Sequence, residues 1–116
     1  MLTNKDYCDY ETCVALKKLG FPRWELPYDI LSQKYCLRLY DAQKWLREEK
    51  AIIVEANFDL MYKGQPRFSW RVLYNLIQHK GAYYTLDSVM SKEDYDSYEE
   101  ALSEGIKEAV KILKEN

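Results

Sequence analysis

Three cysteines and one histidine are the side chains in this sequence best suited to act as nucleophiles, bases or soft metal ligands. They are Cys8, Cys13, Cys36 and His79. A cysteine nucleophile needs a base within hydrogen-bond reach and a third group that orients the base. No such Asn or Asp motif and no nucleophile elbow surrounds these thiols, and their spacing contains no C-x-x-C pair or zinc-ligand set. The sequence therefore predicts no catalytic residues, no metal ligands and no cofactor, and it ranks a small enzyme as the third possible function.

The cysteines are expected to be reduced thiols. Their number is odd, and Cys8 and Cys13 are five positions apart, a spacing that would not bring them together on one helix. The N-terminal sequence MLTNKDYCDYE has no apolar region of the kind found in signal peptides. No run approaches the roughly 18 apolar residues that a membrane-spanning helix needs. We therefore expect a protein of the cytoplasm, where thiols stay reduced.

The other candidates for site chemistry are a histidine, a carboxylate cluster and the glycines. His79 stands in a predicted turn, where we expect a solvated side chain rather than a general base. Glu93, Asp94 and Asp96 precede the last predicted helix and could hold a cation, but their spacing is not that of a calcium-binding loop. A solvated lead-in to the helix is the favoured interpretation of these carboxylates. The four glycines are scattered and form no phosphate-binding loop.

The composition is that of a globular domain with many aromatic residues. The chain has 116 residues, of which eleven are tyrosine and three are tryptophan. A chain of this length buries roughly two-thirds of its unfolded surface, so it needs no disulfide or metal to fold. Its net charge of −2 gives no overall attraction to nucleic acid or to anionic membranes. We therefore predict a single α+β domain over residues 1–116 that has no membrane partner.

Helical periodicity predicts two helices in the first half of the chain. The first runs from about Asp9 to Leu19 and ends in a Schellman motif made by Gly20 and Phe21. The second covers Leu39 to Lys50. Residues 22–38 between them are too apolar for a disordered linker. They are predicted to form an ordered connection with a short helical turn or strand.

The third helix is the most strongly specified element of the sequence. It lies within Asp96–Leu113, where Ser97 as N-cap and Glu100 three residues later form a capping box. Small residues follow at steps of four along its apolar stripe, at Ala101, Gly105 and Ala109. A glycine in a helix interior costs roughly 1 kcal/mol relative to alanine. We therefore predict that this stripe lets the helix approach a sheet closely.

Between the second and third helices the apolar period changes to two, which predicts three strands. They cover Ile52–Tyr62, Arg67–Leu76 and Ala82–Leu86, and short turns join them into an antiparallel meander. The even-numbered positions are predicted to face the core: Val54, Ala56, Phe58, Leu60, Tyr62, Phe68, Trp70, Val72, Tyr74, Leu76, Tyr84 and Leu86. The predicted fold is α+β, in the order α-α-β-β-β-α, with the three-stranded sheet covered on one face by helices.

The outer face of this sheet is the candidate binding surface. It is predicted to present Arg67, Ser69, Arg71, Asn75, Tyr83 and Thr85. Arginine beside tyrosine on an open sheet face can stack on nucleobases or contact a partner protein. Cross-strand ion pairs with Glu55 and Asp59 would explain the arginines without any ligand, and that interpretation is favoured.

Three motifs follow one another along most of the chain. They are ALKKLGF at residues 15–21, DAQKWLREEK at 41–50 and YDSYEEALSEGIKEAVKIL at 95–113. On these motifs the chain resembles a group of small uncharacterised proteins encoded by gut anaerobic bacteria and by their phages and mobile elements. The resemblance implies a genomic setting, and it implies no activity and no site residues.

A second resemblance concerns topology. Helix, three strands and helix over residues 39–115 is the order found in double-stranded RNA-binding domains, which grip phosphates with basic residues at the start of the last helix. Here that position reads SYEE, at residues 97–100, and acidic residues there disfavour RNA. The leading hypothesis is a non-catalytic interaction or accessory module of phage or mobile-element origin with a protein partner. The alternative is a nucleic-acid-binding domain that uses Arg67, Arg71 and Tyr83.

Overall fold

The helices and strands follow the order that the sequence predicts. The computed structural model describes residues 6–22, 28–29, 34–35 and 37–115, with the backbone alone at 28–29, 34–35, 78–79 and 83–86. Its elements are α1 (Tyr10–Lys18), β1 (Tyr28–Asp29), β2 (Lys34–Tyr35), α2 (Leu39–Lys50), β3 (Ile53–Tyr62), β4 (Gln65–His79), β5 (Ala82–Met90) and α3 (Tyr98–Glu115). The α-α-β-β-β-α order with a three-stranded antiparallel sheet is confirmed. Strands β1 and β2 form a short antiparallel pair within the predicted connection, most of which lies outside the described residues.

Helix α1 is capped at both ends by its own sequence. The side chain of Asp9 accepts a hydrogen bond from the backbone N–H of Thr12 at 2.8 Å, which satisfies a donor of the first turn. At the other end Gly20 has a φ of 112°, and the N–H of Phe21 donates to the carbonyl of Leu16 at 3.0 Å. This is the predicted Schellman motif, in which glycine supplies a backbone conformation that other residues adopt only with strain.

Helix α2 has the predicted bounds, Leu39–Lys50. Its buried side chains include Leu46, which has no exposed area. Gln43 is partly buried, and its Nε2 donates to the carbonyl of Val54 at 2.7 Å. The helix ends at Ala51, an alanine with a φ of 54° in the left-handed region.

The sheet has the strand order β3-β4-β5 and two tight hairpins. Lys63-Gly64 and Lys80-Gly81 form the turns, and all four residues have positive φ, as a two-residue type I′ turn requires. The predicted strand Arg67–Leu76 left longer turns on both sides. A two-residue turn needs a left-handed first residue, and lysine is unusual in that conformation, so the sequence did not indicate turns this short. His79 therefore ends β4 opposite Ala82 rather than standing in a turn. Strand β5 likewise continues to Met90, beyond its predicted end.

A β-bulge in β3 changes which side chains face the helices. The pairing with β4 shifts by one residue between Phe58 and Leu60, so that Leu60 lies opposite Arg67. One extra residue reverses the alternation beyond it, which places Met61 on the helix side of the sheet. The prediction that Leu60 and Tyr62 face the core is wrong, and these side chains are 40% and 58% exposed.

Helix α3 lies across the inner face of β3 and β4. Its N-cap is confirmed, because Ser97 Oγ accepts a hydrogen bond from the N–H of Glu100 at 3.1 Å. A Cβ placed on Gly105 would lie 2.8 Å from Cγ1 of Val54 and 3.1 Å from Cβ of Trp70. A larger residue at position 105 would overlap the sheet, so glycine is what allows α3 to lie this close to β3 and β4. This confirms the predicted role of the small-residue stripe.

The hydrophobic core lies between α3 and the sheet, and α1 and α2 complete it. Its most deeply buried large side chains are Leu16, Leu37, Leu39, Leu46, Val54, Val72, Leu102 and Ile106. These positions come from all three helices and from both strands under α3, so a single core joins the helical layer to the sheet. Of the helices in the described part of the chain, none combines the length and the apolar character needed to cross a bilayer.

Candidate interaction surface

Both arginines of the predicted outer-face site are bound by carboxylates. Arg71 lies directly opposite Glu55, and its Nε and Nη2 donate to Glu55 Oε2 at 3.1 and 2.7 Å. This contact is the cross-strand pair that the sequence suggested as an alternative to a ligand. Arg67 forms no such pair with β3 in the described contacts. Its guanidinium instead binds Asp94, at 2.7 Å, and Asp96.

These two aspartates belong to a segment that is attached to the sheet. Tyr95 exchanges two backbone hydrogen bonds with Phe68, at 2.7 and 2.9 Å, so the segment before α3 continues along the edge of β4. The hydrogen bond to Asp94, together with the charges of Asp94 and Asp96, raises the pKa of Arg67. The prediction of a solvated lead-in holds for Glu93 and for Asp96, whose side chain is 78% exposed, but Arg67 and the backbone bonds of Tyr95 attach the segment to the sheet.

The other predicted surface residues do not extend this site. Ser69 lies between the two arginines on β4 and is partly buried. The side chain of Asn75 donates to Asp87 at 2.6 Å, and its φ of 54° interrupts the regular strand. Tyr83 and Thr85 lie on β5, but their side chains are outside the described part of the structure. The described residues of this face thus satisfy one another, and both arginines already have anionic partners.

A different surface gathers aromatic side chains from two helices and the sheet. Phe58 on β3 meets the ring of Phe68 on β4 edge to face, with ring centroids 6.4 Å apart. Phe68 meets Tyr98 of α3 in the same way at 6.3 Å. Tyr98 in turn stacks with Tyr40 of α2 at 6.5 Å. We refer to Tyr40, Tyr98, Phe68 and Phe58 as the aromatic row.

The aromatic row is exposed because the β3–β4 hairpin extends beyond the start of α3. Val54 and Ala56 are buried under the helix, whereas Phe58, the next helix-facing residue of β3, is 58% exposed. Tyr40 at the other end of the row is 53% exposed. Met61, which the bulge turns toward the helix side, is also 58% exposed. Contiguous apolar surface of this kind marks interaction sites in folded proteins.

Gln43 fixes the row to the edge of the sheet. Its side chain donates to the carbonyl of Val54 and is close enough to the Tyr98 hydroxyl to favour the lower pKa of that group. Burial raises the pKa of Tyr98, and the nearby Tyr40 and Glu99 add to that rise. The contacts of the Tyr98 ring with Phe68 and Tyr40 hold it between the sheet and α2.

Part of the signal for the aromatic row is present in the sequence. The period-two pattern correctly places Phe58 and Phe68 on the helix-facing side, but it also assigns Phe58 to the core, which is wrong. Strand β4, with 15 residues, is about 50 Å long at roughly 3.3 Å per residue. Helix α3, with 18 residues, is about 27 Å long at 1.5 Å per residue. The sequence predicts only the ten residues Arg67–Leu76 for this strand, so the full excess of the hairpin over the helix is visible only in the structure.

Contrary to the prediction, the structure brings Cys8 and Cys13 together. Cys8 precedes the N-cap Asp9, and Cys13 is the fourth residue of α1. These are the two positions that pack against each other as a hydrophobic staple at a helix start. Sγ of Cys13 donates a hydrogen bond to the carbonyl oxygen of Cys8 at 3.9 Å, and each thiol shifts the pKa of the other. Both are free thiols and both are buried, whereas Cys36 lies outside the described residues.

Known proteins and metal chemistry give no further guide to function. In the described part of the chain, no three His, Cys, Asp or Glu side chains are grouped so that they would hold a metal ion. The side chain of His79 is outside that part. No family model, no curated protein and no solved structure matches the chain. The function is therefore inferred from the aromatic row and from the charges around it.

Proposed function

We propose that the protein is a non-catalytic interaction module that binds a partner protein through the aromatic row. The observation that carries the proposal is the unbroken contact of four aromatic rings from α2 to the β3–β4 hairpin, with exposed rings at both ends. Rigid aromatic side chains contribute strongly to binding in protein interfaces, because they bury much area and lose little conformational entropy. Met61 adds a flexible apolar side chain at the end of the hairpin.

The charges beside the row support a partner that carries basic residues. Glu99 lies close enough to Tyr98 to raise the pKa of its hydroxyl, and Asp41, next to Tyr40 in the chain, is paired with Arg38. On the outer face of β4, Arg67 binds two carboxylates, Asp94 and Asp96. Four carboxylates and two guanidinium groups leave an excess of negative charge, which Lys63 at the tip of the hairpin offsets in part. An amphipathic helix with apolar residues on one face and Lys or Arg beside them complements both the rings and the charge.

The same charges weigh against the alternative of nucleic-acid binding through Arg67, Arg71 and Tyr83. Affinity for nucleic acid comes mainly from Lys and Arg side chains that neutralise phosphates. Here Arg67 and Arg71 would each have to exchange a bound carboxylate for a phosphate. The released carboxylates would then lie close to the phosphate backbone and repel it, so a protein partner is the better supported choice.

A pair of synthetic helical peptides tests the proposal. The two peptides share one pattern of leucines and differ only in having lysine or glutamate at every polar position. Each is titrated into isotope-labelled protein while backbone amide resonances are recorded. We expect the lysine peptide to shift the amide resonances of Tyr40, Phe58, Phe68 and Tyr98, and the glutamate peptide to leave them unchanged. Single- and double-stranded oligonucleotides are titrated in parallel at low and moderate salt.

Two matched double variants show whether the aromatic row is the site. Tyr40→Ser with Phe58→Ser removes both exposed ends of the row. Ile77→Ser with Met90→Ser removes two apolar side chains that are 46% and 65% exposed elsewhere on the sheet. The first pair should weaken peptide binding by roughly tenfold or more, and the second should not. Equal loss in both, equal affinity for both peptides, or salt-dependent binding of the oligonucleotides alone would contradict the proposal.

A further inference from the structure

We propose that Cys8 and Cys13 form an oxidisable dithiol, a site at which a small hydroperoxide converts two buried thiols into a disulfide. This site is separate from the aromatic row and does not depend on the function proposed for that row. It lies at the start of α1, where the chain enters the core. The argument depends on how the helix start positions the two sulfur atoms.

The two thiols are held next to each other by the backbone. The N-cap Asp9 binds the N–H of Thr12 at 2.8 Å and so fixes the angle at which the chain enters α1. The N–H of Cys8 donates to the carbonyl of Leu37 at 2.7 Å, which anchors the residue on the other side. With both backbones fixed, Cys13 Sγ donates to the carbonyl oxygen of Cys8 at 3.9 Å, and the two side chains occupy the staple positions that pack against each other at a helix start. Such positioning favours a reaction between the two groups over a reaction with a distant third thiol.

The environment assigns different roles to the two sulfurs. The hydrogen bond from the Cys8 thiol lowers the pKa of Cys13, outweighing the opposite effects of burial and of the Asp9 carboxylate. The same hydrogen bond, together with burial, raises the pKa of Cys8. The thiolate is the reactive form of cysteine. Cys13 lies at the start of α1, where unpaired backbone N–H groups favour an anion, whereas Cys8 precedes the helix. This position makes Cys13 the sulfur that attacks the oxidant and Cys8 the sulfur that resolves the product.

The reaction balances with the hydroperoxide as the two-electron oxidant. The Cys13 thiolate attacks the terminal peroxide oxygen, so that an S–O bond forms, the O–O bond breaks and the leaving alkoxide or hydroxide takes up a proton. Cys13 is then a sulfenic acid. The Cys8 sulfur attacks this sulfur, the S–S bond forms, the S–O bond breaks, and hydroxide leaves with the Cys8 proton as water. Because Cys8 is 7% exposed and Cys13 is 1% exposed, the oxidant must be as small as hydrogen peroxide.

The tryptic map of the chain separates this pair from the third cysteine. Cleavage after Lys5 and Lys17 releases residues 6–17, DYCDYETCVALK, which contain both Cys8 and Cys13. Cys36 is released in residues 35–38, YCLR. The folded full-length chain is treated with hydrogen peroxide, and the thiols that remain are then alkylated in denaturant. The protein is digested with trypsin, and the peptide masses are measured by mass spectrometry. We expect most of peptide 6–17 to be unalkylated and lighter by two hydrogen atoms, and to regain two alkylation sites after reduction.

Single variants test the assigned roles in the presence of dimedone, which traps sulfenic acids. In Cys8→Ser the sulfenic acid on Cys13 cannot be resolved, so a dimedone adduct should accumulate there. In Cys13→Ser the adduct on Cys8 should be several-fold weaker. The proposal is overturned if wild-type peptide 6–17 keeps both alkylation sites, if its cysteines link to peptide 35–38 instead, or if Cys8 is the more strongly trapped residue. The wild-type measurement decides the main point even if a variant fails to fold.

Discussion

Replacing Gly105 by alanine is expected to destabilise the protein, although alanine is the better helix former. The added Cβ would lie 2.8 Å from Val54 Cγ1 and 3.1 Å from Trp70 Cβ, whereas carbon atoms pack at about 3.5–4.0 Å. Val54 is buried and β-branched, so it has few other rotamers to adopt. Cβ of Trp70 is bonded directly to the backbone of β4 and moves only with the strand. Relief of the overlap therefore requires α3 to move away from the sheet.

The magnitude follows from two opposing contributions to the free energy of unfolding. Alanine in place of glycine within a helix is worth about 1 kcal/mol. An extra methyl group in a well-packed core costs roughly 1–3 kcal/mol. Since the nearest contact is too short by roughly 0.7 Å or more, we place the packing cost at the upper end of that range. The expected net loss is about 1–2 kcal/mol, equivalent to a fall in Tm of about 4–8 °C.

Urea unfolding followed by circular dichroism measures this loss. Lys111→Gly compared with Lys111→Ala, at an exposed position of the same helix, measures the helix-propensity contribution without any contact with the sheet. Val54→Ala removes the nearest clashing atom, so Gly105→Ala should cost at least about 1 kcal/mol less in that background. If Gly105→Ala instead stabilises the protein as much as the Lys111 comparison predicts, α3 does not approach the sheet as described.

Three further substitutions test the capping and charge arguments. Asp9→Ala removes the N-cap and should lower the free energy of unfolding by about 1 kcal/mol. Asp9→Asn keeps the cap and loses only the ion pair with Lys107, which is about half exposed, so the loss should be well under 1 kcal/mol. Burial raises the pKa of Asp9, but hydrogen bonds from Thr12 and Lys107 lower it by more, so the pKa lies below its usual value. The difference in unfolding free energy between wild type and Asp9→Asn, measured in urea, should therefore disappear as the pH falls through this lowered pKa. Ala51→Gly should raise Tm by a few degrees, since glycine relieves roughly 0.5–1 kcal/mol of left-handed strain, and a lower Tm would contradict this. Arg67→Lys should speed hydrogen exchange at the Tyr95 amide, because a lysine ammonium cannot bind Asp94 and Asp96 together as a guanidinium does. Unchanged exchange would show that the backbone hydrogen bonds between Tyr95 and Phe68 do not depend on Arg67.

Features that depend on a few neighbouring residues were predictable from the sequence. The Schellman motif at Gly20, the N-cap at Ser97 and the bounds of α2 all agree with the structure. Their hydrogen bonds join residues at most five positions apart, so the local sequence contains every group involved. The stripe around Gly105 was also predictable, because a glycine inside a strong helix pattern needs a compensating close contact. The period-two pattern likewise identified the strands and the order of the fold.

The candidate site could be predicted only in part. Phe58 and Phe68 were placed on the correct face, and Arg71 was paired with the correct strand. The site itself was sought on the outer face, where the structure shows Arg67 and Arg71 bound to carboxylates. The pairing of Cys8 with Cys13 was missed because their spacing was judged as if both lay on one helix, although the predicted helix begins at about Asp9. The structure instead places Cys8 before the N-cap, where the chain turns back toward the first turn of the helix.

The sequence alone thus determined the three helices, the caps at Gly20 and Ser97, the order of the strands and the close contact at Gly105, because each of these depends on local periodicity or local sterics. Tertiary structure alone decided the shift of register after Phe58, the binding of Arg67 to Asp94, and the contact of rings from α2, α3 and the hairpin. These features join residues that are far apart in the chain, and which groups meet depends on the lengths and positions of whole elements. The exposed aromatic row exists because one hairpin is longer than the helix that covers it, and that is a property of the assembled fold.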